Sequence, residues 1–165
     1  MVSRRQVGTA VVVAAVLLGA ALFWPTRERQ VKREMRAVAA WISKDEGEGA
    51  IRMAQRASEA PRFFADPCVV RADGYALEGS FSPHDLSRYA LGAWSRLASI
   101  KARLYDLRVV FPERDRAEVT ATVRVSVRDR DGEPTEATHE IACVVVRRDG
   151  RWLLQEASLV QVLER

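Results

Sequence analysis

Near-neutral titrating or nucleophilic groups are sparse in this 165-residue chain, which has two histidines and two cysteines. His139 shares one face of an expected strand with Ile141, Cys143 and Val145, which makes it a candidate general base if that face lines a pocket. The simpler reading is a hydrogen-bonded histidine at a strand end. Asp106, between Leu104 and Arg108, is a candidate pocket acid, although a surface Asp–Arg pair accounts for it as well. His84-Asp85 has the look of a dyad, but Asp85 belongs to a helix start and His84, at the second helical position, faces water. Tyr89, Trp94, Tyr105 and Cys143 are the candidates for lining an apolar ligand pocket, while the helical spacing of the first two also fits plain core. No Gly-rich phosphate loop, Ser or Cys nucleophile motif or metal-ligand cluster is present, so neither a metal nor a cofactor is expected. Cys68 and Cys143 read as small buried hydrophobes, with a disulfide open to them only in an oxidising compartment. Glu156, between Leu154 and Ser158, is unexplained by its neighbours.

The elements that must position these residues are legible in the periodicities. Val31, Met35, Val38 and Ile42 recur at helical spacing, and Ala50 to Ala60 reads as a second helix after Gly47 and Gly49. Phe63 to Arg71 is a strand interrupted by Asp66-Pro67, and Asp73-Gly74 turns into a short return strand, Tyr75 to Leu77. Ser82, Pro83 and Asp85 form a helix start with a capping box, and Phe81 and Leu86 are placed for a hydrophobic staple. Leu86, Tyr89, Ala90, Ala93, Trp94 and Leu97 then make one apolar stripe. Ile100 to Phe111 is a strand ended by Pro112. Val119, Ala121, Val123, Val125 and Val127 alternate with polar residues, as a half-buried strand requires. Ile141 to Val146 is a more deeply buried strand, and Asp149-Gly150 is a hairpin signal leading into Trp152 to Leu163. The expected architecture is α+β, with three helices on a curved antiparallel sheet.

Ahead of this domain stands Val7 to Trp24, an apolar run of 18 residues without a charge, Asn, Gln or Pro, about long enough to cross a bilayer as a helix. A cleaved signal peptide is the alternative, but the best small-residue triplet, Gly19-Ala20-Ala21, is followed by more apolar sequence. The expected organisation is an anchor over residues 1–26 and one domain over 27–165. The heavier Lys/Arg flank on the C-terminal side argues for a cytoplasmic domain. The short tail with Arg4 and Arg5 has the layout of an uncleaved export signal, and an extracytoplasmic domain is the favoured orientation. Residues 1–36 hold seven Lys/Arg against two Glu, and the remainder holds 19 basic against 20 acidic residues. The basic excess therefore belongs to the membrane flank, and no nucleic-acid-binding patch remains.

The element order and three segments resemble the nuclear transport factor 2-like superfamily, which includes the SnoaL-like and ketosteroid isomerase-like proteins. Phe63-Phe64-Ala65-Asp66-Pro67-Cys68-Val69-Val70 is similar to the family's aromatic-Ala-Asp-Asp entry into its first strand. Gly79-Ser80-Phe81-Ser82-Pro83 leads into the third helix as in the family. Arg148-Asp149-Gly150-Arg151-Trp152-Leu153-Leu154 is similar to the start of its last strand. The resemblance covers Val31 to Leu163 and implies a cone whose sheet wraps a pocket, catalytic in some members and not in others. In the isomerase branch a base aspartate lies two residues after the valine matched by Val70. That position is Ala72 here, and Asp73, one residue later, belongs to the opposite strand face. The first helix, Val31 to Ser43, also lacks that branch's tyrosine, so the isomerase mechanism does not carry over. The expected function is a membrane-anchored, non-catalytic domain for protein interaction or assembly at a bacterial-type cell envelope. Its partners would be the bilayer through Val7 to Trp24 and a second copy or an envelope protein, with no nucleic acid. The alternative is a binder, or a weak lyase or isomerase, for a small apolar molecule.

Overall fold

A computed structural model describes residues 26–72 and 78–160. The chain divides into two units, residues 1–30 and residues 31–165. The apolar run Val7 to Trp24 and the expected return strand Tyr75 to Leu77 lie outside the described residues. Among the described residues no helix is long and apolar enough to cross a membrane. In the first unit, Thr26 Oγ1 accepts a hydrogen bond from the Arg29 backbone N–H at 3.4 Å, at the start of the first helix.

The elements run α1 (Arg27–Ile42), α2 (Ala50–Ala57), a 3₁₀ turn (Ala60–Arg62), β1 (Phe64–Arg71), β2 (Gly79–Phe81) and α3 (Pro83–Arg96), followed by β3 (Leu97–Glu113), β4 (Arg116–Asp129), β5 (Thr135–Arg148) and β6 (Arg151–Val160). All six strands join one sheet in the order β2-β1-β6-β5-β4-β3. Strands β3 to β6 form the expected antiparallel meander. The sheet is nevertheless mixed, because β1 pairs parallel to β6. Parallel neighbours need a long crossover, and the stretch from β1 through α3 and the meander supplies one.

Local chemistry explains most boundaries. Ser82 Oγ accepts the Asp85 backbone N–H at 3.2 Å while Asp85 Oδ2 accepts from the Ser82 backbone N–H at 3.3 Å, completing the capping box of α3. Phe81 meets Tyr89 edge to face at 5.4 Å between ring centroids. Asp149 and Gly150 take φ of 49° and 77°, the two positive values that a tight two-residue hairpin turn requires. Strand β3 outruns its expected end at Pro112, because it pairs on one side only and a missing N–H on an edge strand breaks no ladder. Strand β5 begins at Thr135, well before the apolar run at Ile141, since pairing with β4 satisfies the backbone of its exposed first half.

The core lies between the helices and one sheet face. It gathers Val31, Met35, Val38 and Trp41 of α1, Leu86 and Trp94 of α3, and Phe64, Cys68, Val119, Cys143, Val145, Trp152 and Leu154 of the sheet. The stripe on α1 ends at Trp41 rather than at Ile42, which is 40% exposed. Trp41 wins the interior because its ring packs edge to face against Phe64 and Trp94, at 5.1 and 5.4 Å between centroids. Its indole N–H also donates to the Arg56 carbonyl at 2.7 Å.

Candidate ligand cavity

A half-open cavity of about 320 Å³ lies between α3, the end of α1 and the sheet. Its inner wall is Trp41, Phe64, Cys68, Leu86, Trp94 and Leu154, with Ile42, Tyr89 and Ala93 exposed at the rim. Ridges from α3 and the pleat of β1 and β6 leave the gap because three positions facing it, Ala90, Ala93 and Ala157, are small. No Asp, Glu, His, Lys or Arg is among the residues lining it. The Cys68 thiol is pushed up to about 11 by burial, so it is a neutral, weakly polar wall atom at ordinary pH. Such a lining offers dispersion and edge-to-face contacts, and it repels a charged ligand through the cost of desolvation.

Hydrogen bonds between helix ends hold the wall rigid. The Trp94 indole N–H donates to the Ile42 carbonyl at 2.9 Å, closing the end of α1. Lys44, 6% exposed, returns the favour at the end of α3: its Nζ donates to the Trp94 carbonyl at 2.6 Å and the Leu97 carbonyl at 2.5 Å. A cation suits the partial negative charge of a helix C-terminus. The backbone of Lys44 also exchanges hydrogen bonds with Ile100, at 2.7 and 3.0 Å, which ties the segment after α1 to β3.

Tyr89 and Trp94, both read as pocket residues, stand together at this cavity. Tyr105 does not: it is 39% exposed on β3, with the Arg124 guanidinium 5.4 Å from its ring centroid. Cys143 is buried in the core on β5 and is not among the cavity's lining residues. Burial, with a smaller contribution from Cys68, pushes its thiol up to about 12. Both cysteines are free, and β6 runs between their strands. Two strand spacings put their Cα atoms roughly 10 Å apart, beyond the roughly 7 Å that a disulfide spans.

His139 is half-buried, opposite Val123 in the β4–β5 ladder, and does not line the cavity. Asp106 is exposed with φ of 53°, at the irregularity between Tyr105 and Arg108 in the β3–β4 ladder. It lines a different groove, with Arg108, Thr120, Thr122 and Glu140. The structure therefore does not bring His139 and Asp106 to one site. Ala72, at the position matching the isomerase base, is buried, and Asp73 lies outside the described residues. Glu156 gains its explanation from topology, since it forms an ion pair with Arg71 on the neighbouring strand β1. Among the described residues no group of three or more His, Cys, Asp or Glu is placed to hold a metal.

No protein-family model and no curated protein sequence matches the chain. Solved structures do. A candidate scytalone dehydratase from Novosphingobium aromaticivorans is 16% identical with a TM-score of 0.61, over 82% of this chain and 83% of that one. A hexachlorocyclohexane dehydrochlorinase of type 3 from Novosphingobium barchaimii is 14% identical with a TM-score of 0.59, over 79% and 83% of the two chains. A chain designated Rd1NTF2_04, with a long sheet, is 16% identical with a TM-score of 0.51, over 78% and 98%. At these identities the likeness speaks for the fold and not for a substrate. Three helices on a six-stranded mixed sheet, in this strand order and with these neighbours, are the nuclear transport factor 2-like fold.

Proposed function

We propose that this chain is a membrane-tethered binding protein for a small, uncharged apolar molecule, held in the cavity between α3 and the sheet. The observation that carries the reading is the lining itself, which has aromatic and aliphatic walls, a neutral thiol and no ionisable carboxylate, imidazole or amine. At about 320 Å³ the cavity is at the small end of ligand sites. That size suits a molecule of one or two rings. Proton-transfer catalysis in the manner of a lyase or isomerase needs a base within hydrogen-bond reach of the ligand, and neither His139 nor Asp106 lines this space. The tether in this reading is the apolar run Val7 to Trp24, with the domain outside the cytoplasm.

A second reading, assembly with a second copy or an envelope protein, draws on the open sheet. Glu118, Thr120, Arg124 and Glu140 are exposed on β4 and β5, and β3 offers a 17-residue edge.

Toluene is a suitable probe of the first reading. Binding to the folded state alone raises the unfolding midpoint, with a stabilisation that grows as the logarithm of free ligand over its Kd. Toluene is expected to raise the midpoint of the full chain and to leave that of an Ala90→Phe variant, whose ring occupies the cavity, unchanged. Equal responses of the two proteins would remove the cavity from the account. A reporter fused after Arg165 of the intact chain tests the tether, with activity expected only in an extracytoplasmic reporter.

A further inference from the structure

We propose that a second groove, between α1 and β3, is a binding site for an oxyanion, a phosphate or carboxylate group on a small molecule or on a lipid. This groove, of about 480 Å³, is bounded by Arg36, Arg56 and Arg103, with Asp45 and Tyr105 also on its walls. Its floor is Ala39 and Ala40 of α1 and Ser43 just after it, together with Ala102 of β3. These floor residues are small, which is why the space exists. Ser43 fixes the floor by donating to the Ala39 carbonyl at 2.8 Å and accepting the Ala102 backbone N–H at 3.0 Å.

Three guanidiniums around one groove repel one another unless an anion stands between them. Asp45 on the wall and Glu48, ion-paired with Arg56, offset two of the three charges. Glu48 lies behind Arg56, with Oε2 3.2 Å from Arg56 Nη2, yet the pair lacks hydrogen-bond geometry. Arg56 Nε and Nη2 and Glu48 Oε1 are all buried without a hydrogen-bond partner. The Arg56 guanidinium carbon also lies over the Trp94 ring, 4.2 Å from its centroid, a cation–π contact that places the guanidinium. Arg36 and Arg103 are exposed and form no ion pair among the described residues. The site thus holds one guanidinium seated over Trp94, its Nε and Nη2 buried beside Glu48, and two exposed arginines on the groove wall able to meet an anion. Arginine pairs with a two-oxygen group through parallel N–H donors, the geometry that phosphate and carboxylate present. The alanine floor and the Tyr105 ring would carry the apolar body of the ligand.

The full chain in phosphatidylcholine nanodiscs, titrated calorimetrically with inorganic phosphate and with phenyl phosphate, tests this. Saturable binding is expected, tighter for phenyl phosphate, and weakened about tenfold or more by Arg103→Gln and by Arg36→Gln. Arg151→Gln, which removes the same charge from the exposed start of β6, is expected to change the affinity less than about twofold. Absence of saturable heat with both probes, or equal losses in all three variants, overturns the site. Repeating the titration in phosphatidylglycerol nanodiscs separates the sources. A response abolished there assigns the groove to lipid phosphate, and a response retained there assigns it to a free anion.

Discussion

Lys44 shows how much one side chain decides in this fold. A lysine buried without a carboxylate is costly unless oxygen acceptors replace its water, and here two carbonyls at the end of α3 do so. Lys44→Met keeps the stem and removes the donors, leaving those carbonyls unsatisfied in the interior. Each charge-assisted bond contributes about 1.5–3 kcal/mol, so the variant is expected to lose about 2–4 kcal/mol in urea denaturation. A change below about 0.5 kcal/mol would show that the carbonyls find other donors. The sequence gives no warning of this role, because a single Lys after a helix reads as a solvated end. Trp41 was equally hidden, since period alone does not separate it from Ile42, and only the partners Phe64, Trp94 and the Arg56 carbonyl choose between them.

At the scale of elements, the capping chemistry of α3 was fully legible, as Ser82, Pro83 and Asp85 spell it locally. It also makes a pH prediction. Hydrogen bonds from the Ser82 side chain and backbone, aided by Arg88 and His84, hold the Asp85 carboxyl below its ordinary value of 3.8. A carboxyl lowered in the folded state contributes stability that is complete above its unfolded value and is lost as pH falls through the folded one. The unfolding midpoint of Asp85→Ala is therefore expected to lie below that of the parent above about pH 5 and to approach it progressively as pH falls below the ordinary carboxyl value. A constant gap across that range would contradict the assignment. The alternation of β4 and the Asp149-Gly150 turn were likewise readable, for the same reason of local cause. The parallel pairing of β1 with β6 was not, because it depends on a crossover whose partners are over eighty residues apart, as the Arg71–Glu156 pair shows.

For the whole molecule, the fold was anticipated from three short segments, whereas the site was anticipated only in part. Tyr89 and Trp94 are at the cavity because they lie on the face of α3 that must meet the sheet. Tyr105 and Cys143 carry the right chemistry but do not line the cavity. The bulge near Asp106 and the intervening strand β6 are tertiary facts that no spacing encodes. Among the described residues two of the spaces have opposite character, an apolar cavity walled by Trp41 and Trp94 and a groove rimmed by Arg36, Arg56 and Arg103. The apolar cavity is the one that defines the proposed function. Trp41 and Trp94 line the cavity while Trp152 does not, so their indole N–H signals are built-in reporters. In the full chain labelled at tryptophan nitrogen and held in nanodiscs, toluene is expected to shift the Trp41 and Trp94 signals saturably and to leave Trp152 in place. Signals of Trp41 and Trp94 that stay fixed, or that drift together with Trp152 without saturating, would contradict it.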